Sequence, residues 1–493
     1  MLHTQFLFIN SFFSLFFLFV FSPPCRLLLR AMRLLGVGGS SVVFALPDDD
    51  EDEAAGDEKR EGGTTEAAVV IASLAEELTA RDGSVPHRLR SRFALRLSKP
   101  ITFACLTCEQ ALAGYVGFRH EISLTEELVK SCAAAASSSL RQHFEGAGHA
   151  NLIPNFAINP VLLMGGRRGS QWLAVEIKPK GVWRSPRVIG IVVDGVGYYI
   201  NPVKLHQCRF SLMQVFKREQ RRAGMALPGE TDSVYCPNML LLGDQASVAA
   251  GLRQLIRCPA NNFRFIPVED PLGEIGDAEL EDLSTALHES DVLKVLANLQ
   301  LYGSGGPSDW EVLDIELLYR WSCARDMSSV RWIVRESEAS AFLNVECACQ
   351  RGIHAAAMDE GQTEDITLHL LTPPMGLREC IDRFYVSTTA NDVSVVVSLS
   401  KGNAATAAGP ATAVDGLTGS RRSLELAQWK SLYGGVFVDF GFPSASILRI
   451  GVVDIDAKLH KSLQHYFEFN KDILAAWERW KSAWRPPLRG ADG

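Results

Sequence analysis

Lys178 and Lys180 stand one residue apart in the pentapeptide E-I-K-P-K, Glu176 to Lys180, at the end of an apolar run that begins at Trp172. An extended backbone sends alternate side chains to one face, so the two ammonium groups are expected to point the same way. Pro179 fixes φ between them and withholds a backbone donor, which places the stretch at a strand end or in a loop. Like charges on one face repel unless an anion lies between them; the plainer reading of the same residues is a solvated strand terminus. Two aspartates occupy comparable places. Asp392 precedes Val393-Ser-Val-Val-Val397, and Asp454 follows Ile450-Gly-Val-Val453. A carboxylate at a strand end can be a turn residue that binds local N–H groups. It can also orient and deprotonate a hydroxyl, or hold Mg²⁺ on a nucleotide, and those are the two carboxylate tasks of phosphoryl transfer.

Further basic residues recur where elements begin or end. Arg209 and Lys217 lie eight apart on one expected helix, a separation that keeps them near one face. Pro259-Ala-Asn261-Asn262-Phe-Arg264 puts two amides and a guanidinium in what reads as one loop after a helix, and Lys458 follows the last buried run. Each is a surface residue on its own account. Together they describe a pocket for a ligand with several phosphates, because each phosphate needs its own donors. Gly36-Val-Gly38-Gly39-Ser40-Ser41 is a glycine turn between two expected strands, where backbone N–H groups can approach phosphates closely. Arg96 on the next strand can reach the same groups. The chain has no GxxxxGK[ST], HRD or DFG, which disfavours P-loop enzymes and ordinary protein kinases.

The elements that must carry these residues give an α+β organisation with a smaller N-terminal lobe and a larger C-terminal one. Expected strands run Leu34–Leu46 (two, around the glycine turn), Phe93–Leu97, Val161–Met164 and Trp172–Ile177. Val393–Leu399 and Ile447–Val453 are near-continuous β-branched runs, the pattern of strands buried on both faces. Helices are expected around Leu124–Leu140, at Arg209–Arg222, Ala246–Ile256 and Leu280–Leu299, and from Lys458 to Trp484. Residues 32–168 form the expected nucleotide-binding lobe and 169–493 the catalytic lobe. Residues 47–90 read as a disordered acidic insertion, and Gly402–Gly419 as a small-residue loop.

Composition sets few limits. The net charge is −8, but Asp48–Glu61 holds nine carboxylates and two basic residues, so the rest of the chain is near neutral and free to build a basic pocket. Eleven scattered cysteines read as free thiols in a reducing compartment, the cytoplasm or nucleus. Cys105 and Cys108 form a lone CxxC that reads as two semi-buried thiols. Cys347, Cys349, His354 and His369 are an irregularly spaced zinc alternative. Phe6–Phe21 is apolar but only sixteen residues long, below the roughly 20 of a membrane helix. Residues 1–31 are therefore an anchor, a targeting segment or the product of an upstream start ahead of Met32, and membrane contact is expected only if 6–21 insert. No nucleic acid partner is expected.

In order along the chain, E-I-K-P-K is joined by Arg209-Phe-Ser-Leu-Met-Gln-Val-Phe-Lys217, Tyr235-Cys-Pro237, Pro259–Arg264, Val312-Leu-Asp-Ile-Glu316, Thr389-Ala-Asn-Asp-Val-Ser394 and Val453-Asp-Ile-Asp-Ala-Lys458. This series resembles the inositol-pentakisphosphate 2-kinases over roughly Leu34 to Trp477, the acidic insertion apart. The resemblance implies a two-lobed kinase-like fold and a monomer. It implies transfer of the γ-phosphate of ATP, with Mg²⁺, to the 2-hydroxyl of inositol 1,3,4,5,6-pentakisphosphate. Asp392 would be the base, Lys178 would neutralise the transferring phosphate, and Asp454 would hold the metal. Lys180, Arg209, Lys217, Asn262, Lys458 and Tyr466 would hold inositol phosphates, Asn261 and Arg264 would support them, and Gly36–Ser41 with Arg96 would cover the nucleotide. The sequence departs from the family at Val37 and Ser41 in the glycine turn, at Gly165 and Gly166, at Glu121, and at Met213, Asn391 and Ser462. The rival implied reading is a degenerate member that binds inositol polyphosphate without turnover.

Overall fold

The computed structural model describes residues 33–37, 42–45, 93–97, 103–117, 120–123, 149–157, 160, 171–224, 233, 235–266, 275–335, 367–401, 435–439, 446–455 and 461–483. Of these, 33–97, 120–154, 437–439 and 446–447 are described as backbone alone. The chain mixes α and β structure and divides into two compact units: Met1–Ser98 with Arg119–Asn155, and Lys99–Phe118 with Phe156–Gly493.

The smaller unit carries β1 (Arg33–Val37), β2 (Val42–Ala45), β3 (Phe93–Leu97), β4 (His120–Ser123) and β5 (His149–Pro154). They form an antiparallel sheet in the order β1-β2-β3-β5-β4. A register irregularity between Leu34 and Gly36 interrupts the first ladder just before the glycine turn. Gly36 ends that irregularity on β1, and Arg96 lies in β3 opposite Val43. Gly38, Gly39, Ser40 and Ser41 fall outside the described residues. So do 6–21, the acidic insertion, the helix expected around Leu124–Leu140, the strand expected at Val161–Met164, and Gly402–Gly419.

The larger unit begins with α1 (Phe103–Ala111) and then β6 (Trp172–Ile177), β7 (Val188–Val193) and β8 (Val196–Tyr199). Helix α2 (Arg209–Arg222) has the bounds expected from its pattern; the Cys208 thiol accepts from the Ser211 N–H at its start, and Gly224 follows in the left-handed region, φ 74°. Short α3 (Pro237–Leu241) and α4 (Gln245–Arg257) come next, the latter capped by the Asp244 carboxylate. Strand β9 is Phe263–Ile266, so Phe263 and Arg264 lie on a strand, not in the loop expected from Pro259 to Arg264.

The single helix expected over Leu280–Leu299 is two, α5 (Asp277–Glu289) and α6 (Val292–Tyr302). Asp291 separates them at φ 60°, a conformation aspartate tolerates better than most residues and one that no helix continues through. The chain proceeds through α7 (Ile315–Ser322), β10 (Arg331–Arg335), β11 (Leu368–Leu371), α8 (Leu377–Ala390), β12 (Ser394–Lys401), β13 (Val436–Asp439), β14 (Ser446–Val453) and α9 (Leu463–Ala483).

One five-stranded antiparallel sheet, β13-β14-β12-β6-β9, is the frame of the larger unit. Val395, Val397 and Leu399 of β12 enter the core with Leu173 and Val175 of β6, Ile450 of β14 and the apolar stripes of α4 to α6. The alternate positions Ser394, Ser398 and Ser400 are also buried, which is why β12 reads as an unbroken run although its partners are antiparallel. A second sheet, β11-β10-β7-β8, packs Ile191, Val193, Trp332 and Val334 against α7 and α8.

Candidate active site

Register alone brings the site together. Ser394, the first residue of β12, pairs with Val453, the last of β14; Val395 pairs with Ile177, the last of β6; and Ile177 pairs with Phe263, the first of β9. Four strand ends therefore lie on one edge of the sheet. The residues immediately beyond them are Lys178, Asn262, Asp392-Val393 and Asp454. Sequence separations of up to 276 residues collapse to hydrogen-bonding distance.

At the centre is Glu176, 4% exposed on β6. Its carboxylate lies 3.5 Å from Lys178 Nζ, accepts from Ser394 Oγ at 2.6 Å and forms an ion pair with Arg264 on the adjacent strand. The Asp454 carboxylate stands 3.3 Å from the same ammonium, and Ser394 Oγ is 2.7 Å from it. Ser394 is fully buried. One hydroxyl and one ammonium thus lie between two carboxylates, and the hydroxyl has a single proton for the pair. Burial draws the Lys178 pKa down, but Asp454, Glu176 and Asp392 outweigh it and hold the ammonium above the ordinary lysine range. Lys178 is charged at any physiological pH.

Asp392 is exposed, directly ahead of β12, and its N–H donates to Thr389 O at 3.1 Å. Its charge acts on Lys178, Arg209 and Tyr466, so four of the expected site residues share one electrostatic neighbourhood. Burial, with Tyr385 and Asp392, pushes the Tyr466 hydroxyl well above the ordinary tyrosine value against the opposing Arg209, which keeps it protonated and able to donate. Arg209 opens to solvent at the start of α2, 3.5 Å from Asn470 of α9 and over the Phe469 ring at 5.8 Å. Lys217 lies two turns along the same helix, half-buried.

The lysine pair departs from its expected geometry. Strand β6 stops at Ile177, and Lys180 adopts φ 63°, so the alternation that would put Lys178 and Lys180 on one face ends before it reaches Lys180. The same-face neighbour of Lys178 is Glu176. The turn that results is braced on several sides. Lys178 N–H donates to Asn262 O at 2.8 Å, Tyr235 Oη donates to Pro179 O at 2.8 Å, and Val182 N–H donates to Gln300 Oε1 at 2.7 Å. Gly181 packs on Asn391, where an added Cβ would stand 3.0 Å from Oδ1. Tyr235, read from sequence only as part of Tyr-Cys-Pro, is therefore a brace for the K-P-K turn.

Asn262 is 2% exposed, and its Oδ1 has no hydrogen-bond partner among the described residues; Tyr466 Oη and Asn391 Oδ1 share that state. Orphaned buried polar atoms beside cationic groups suit a polar, phosphorylated ligand. Asn261 is exposed beside Asn262. Lys458 lies outside the described residues, as do Cys347, Cys349 and His354; His369 is on β11, and no cluster of three or more His, Cys, Asp or Glu suited to a metal occurs among the described residues. A nucleotide-borne Mg²⁺ asks less, one or two carboxylates with phosphates and water completing the shell, and Asp454 fits it. Cys105 and Cys108 are buried on α1, and burial raises the Cys108 thiol far from thiolate chemistry. Sequence reading passed over Glu176 and Ser394 as central groups; a buried glutamate at the end of an apolar strand was the available signal for the first.

Cations and carboxylates gathered at one sheet edge, with protonated donors around them, are the group types that phosphoryl transfer uses. A family model described as inositol-pentakisphosphate 2-kinase matches residues 112–472, and the chain belongs to that family. It is also similar to an inositol-pentakisphosphate 2-kinase of Arabidopsis thaliana, 24% identical over 335 residues that make up 64% of this chain and 62% of that protein. The match thus spans less than two thirds of the relative's length. No described helix is long and apolar enough to cross a membrane.

Proposed function

We propose that the chain is an ATP-dependent kinase that phosphorylates the 2-hydroxyl of inositol 1,3,4,5,6-pentakisphosphate to give the hexakisphosphate. The observation that carries this reading is the convergence of Lys178, Asp392 and Asp454 at one sheet edge in a member of the family. The two units are read as the small, nucleotide-binding and large, catalytic lobes of a kinase-like fold, with Gly36–Ser41 and Arg96 serving the nucleotide.

Asp392, open to solvent two residues ahead of β12, accepts the proton of the attacking hydroxyl. Lys178 sets a fixed positive charge against the phosphoryl oxygens as charge builds on them. Asp454, held by Ser394 and Lys178, would hold a nucleotide-borne Mg²⁺, which would supply charge neutralisation. Lys180, Arg209, Lys217, Asn262, Lys458 and Tyr466 bind the inositol phosphates, with Asn261 and Arg264 behind them; Arg264 acts through Glu176.

Incubation with Mg-ATP and the pentakisphosphate, followed by anion-exchange chromatography, is expected to yield hexakisphosphate. Asp392→Asn is expected to abolish that product while the pentakisphosphate binds as before. Equal turnover in the variant would remove Asp392 as the base. Binding without product in the wild type would favour the non-catalytic reading.

A further inference from the structure

A cavity of about 200 Å³ opens in the larger unit behind the segment that follows the K-P-K turn. Of the residues assigned to the inositol phosphates, only Arg209 reaches its wall; Lys180, Lys217, Asn262 and Tyr466 do not. The cavity therefore adjoins the candidate active site without being part of it.

Its most telling wall residue is Gln207, in the stretch between a short 3₁₀ turn, Pro202–Leu205, and α2. Gln207 is 1% exposed, and neither its amide oxygen nor its amide nitrogen has a partner among the described residues. A buried, unmet amide is costly, so a native fold that retains one has something to place against it. Arg184 Nε, on the same wall, is orphaned too, although its Nη1 donates to Tyr302 Oη at 2.9 Å.

The charge of the wall selects the occupant. Arg184, Arg187, Arg209 and Lys204 line it against Glu311 and Asp314 alone. Lys204 is spoken for, paired with Asp314 at 2.8 Å and with Glu316 at 2.9 Å, which leaves one carboxylate charge over to set against the arginines. Burial raises the Glu311 carboxyl, while Arg184, Arg187 and Arg335 pull it back, so its single charge is shared among three guanidiniums. A cationic excess remains. The orphaned donors require acceptors, and the Gln207 oxygen requires a donor. An oxyanion that carries an O–H satisfies all three demands.

We propose that this cavity is an accessory site for a small hydroxylated phosphate monoester, with its phosphate toward Arg184 and Arg187 and a hydroxyl on Gln207. Inorganic phosphate shares the chemistry but fills less of the space; glycerol 3-phosphate supplies both groups. The site is independent of the kinase assignment, since it needs neither nucleotide nor turnover.

Calorimetric titration of the full chain with each compound, without nucleotide, tests it. Both are expected to bind one per chain, glycerol 3-phosphate the more tightly. Gln207→Leu should weaken both by about tenfold or more and should melt no lower than wild type, because it removes an unmet amide. Lys217→Ala, across the active site, should leave both affinities unchanged. The proposal is overturned if Gln207→Leu binds as wild type does, if Lys217→Ala removes the binding, or if neither compound binds, which would leave the cavity to water. None of these outcomes depends on whether hexakisphosphate is formed.

Discussion

The larger unit holds two lysines bracketed by carboxylates, and they are built for different ends. Lys204 sits on its 3₁₀ turn with Asp314 at 2.8 Å and Glu316 at 2.9 Å, its side chain 11% exposed. The carboxylates are saturated in turn: Asp314 caps α7 through the Glu316 N–H, and Glu316 accepts from Asn470 Nδ2 and the Asn201 N–H. Lys178 has the same ingredients at 3.3 and 3.5 Å, more open at 24%, and its carboxylates share one serine proton. A closed, short, fully answered cluster fastens three elements together. A longer, more open one at a strand edge keeps electrostatic capacity for a ligand. What distinguishes the two clusters here is how tightly the lysine is closed in: 2.8 and 2.9 Å at 11% exposure against 3.3 and 3.5 Å at 24%.

The largest test of that contrast is Lys178→Met. It should lower phosphoryl transfer about a hundredfold to a thousandfold, the usual cost of removing one fixed positive donor, with a smaller loss of stability than at Lys204 because Arg264 still pairs Glu176. Lys204→Met should do the reverse. It leaves Asp314 and Glu316 facing each other without their cation, costing about 3 kcal/mol in denaturant unfolding while turnover per folded molecule holds. If Lys204→Met lost activity at full stability, the division between the two clusters would fail.

Ser394→Ala probes the Lys178 cluster more gently. Removing the shared donor should cost about 2 kcal/mol and raise the Mg²⁺ requirement of turnover about tenfold, as the loss of a group that orients a metal ligand does. A variant with unchanged Mg²⁺ dependence would show that the serine orders the strands and not Asp454.

The smallest effect is expected at Glu311. Its folded pKa lies above its unfolded one, chiefly through burial, so the folded state favours the protonated form. The stability this contributes is complete below the ordinary carboxyl range and is lost as pH rises through the folded pKa. Glu311→Gln should therefore match wild type in melting temperature at pH 3 and exceed it slightly at pH 7.

Much of the frame was legible because burial writes itself into local pattern. The run at Trp172–Ile177 and the helix at Arg209–Arg222 were bounded correctly by apolar spacing and by the basic or glycine residues that end them. The join between α5 and α6 was not, since Ser290 and Asp291 interrupt the helix by backbone conformation and leave its apolar rhythm unbroken. The position of Arg264 on β9 likewise depends on a partner strand distant in sequence. For the site, the charged residues could be named in advance because their types carry the chemistry. Ser394, Glu176 and Tyr235 could not be ranked, because their importance comes from the register of β12 with β6 and β14 and from one long-range hydrogen bond. Gln207 and its cavity had no signature at all; an unmet amide is visible only once its surroundings are known.

One detail of the backbone constrains how this chain can change over generations. Asp454 carries its carboxylate at φ 64°, where aspartate, asparagine and glycine are comfortable and β-branched residues are not. While the charge is under selection, aspartate is the sole residue that meets both demands. Were selection for charge relaxed, asparagine and glycine would become neutral replacements, the first a single-atom exchange and the second a release of strain. A lineage that no longer needed the charge could thus change position 454 to asparagine or glycine without backbone strain.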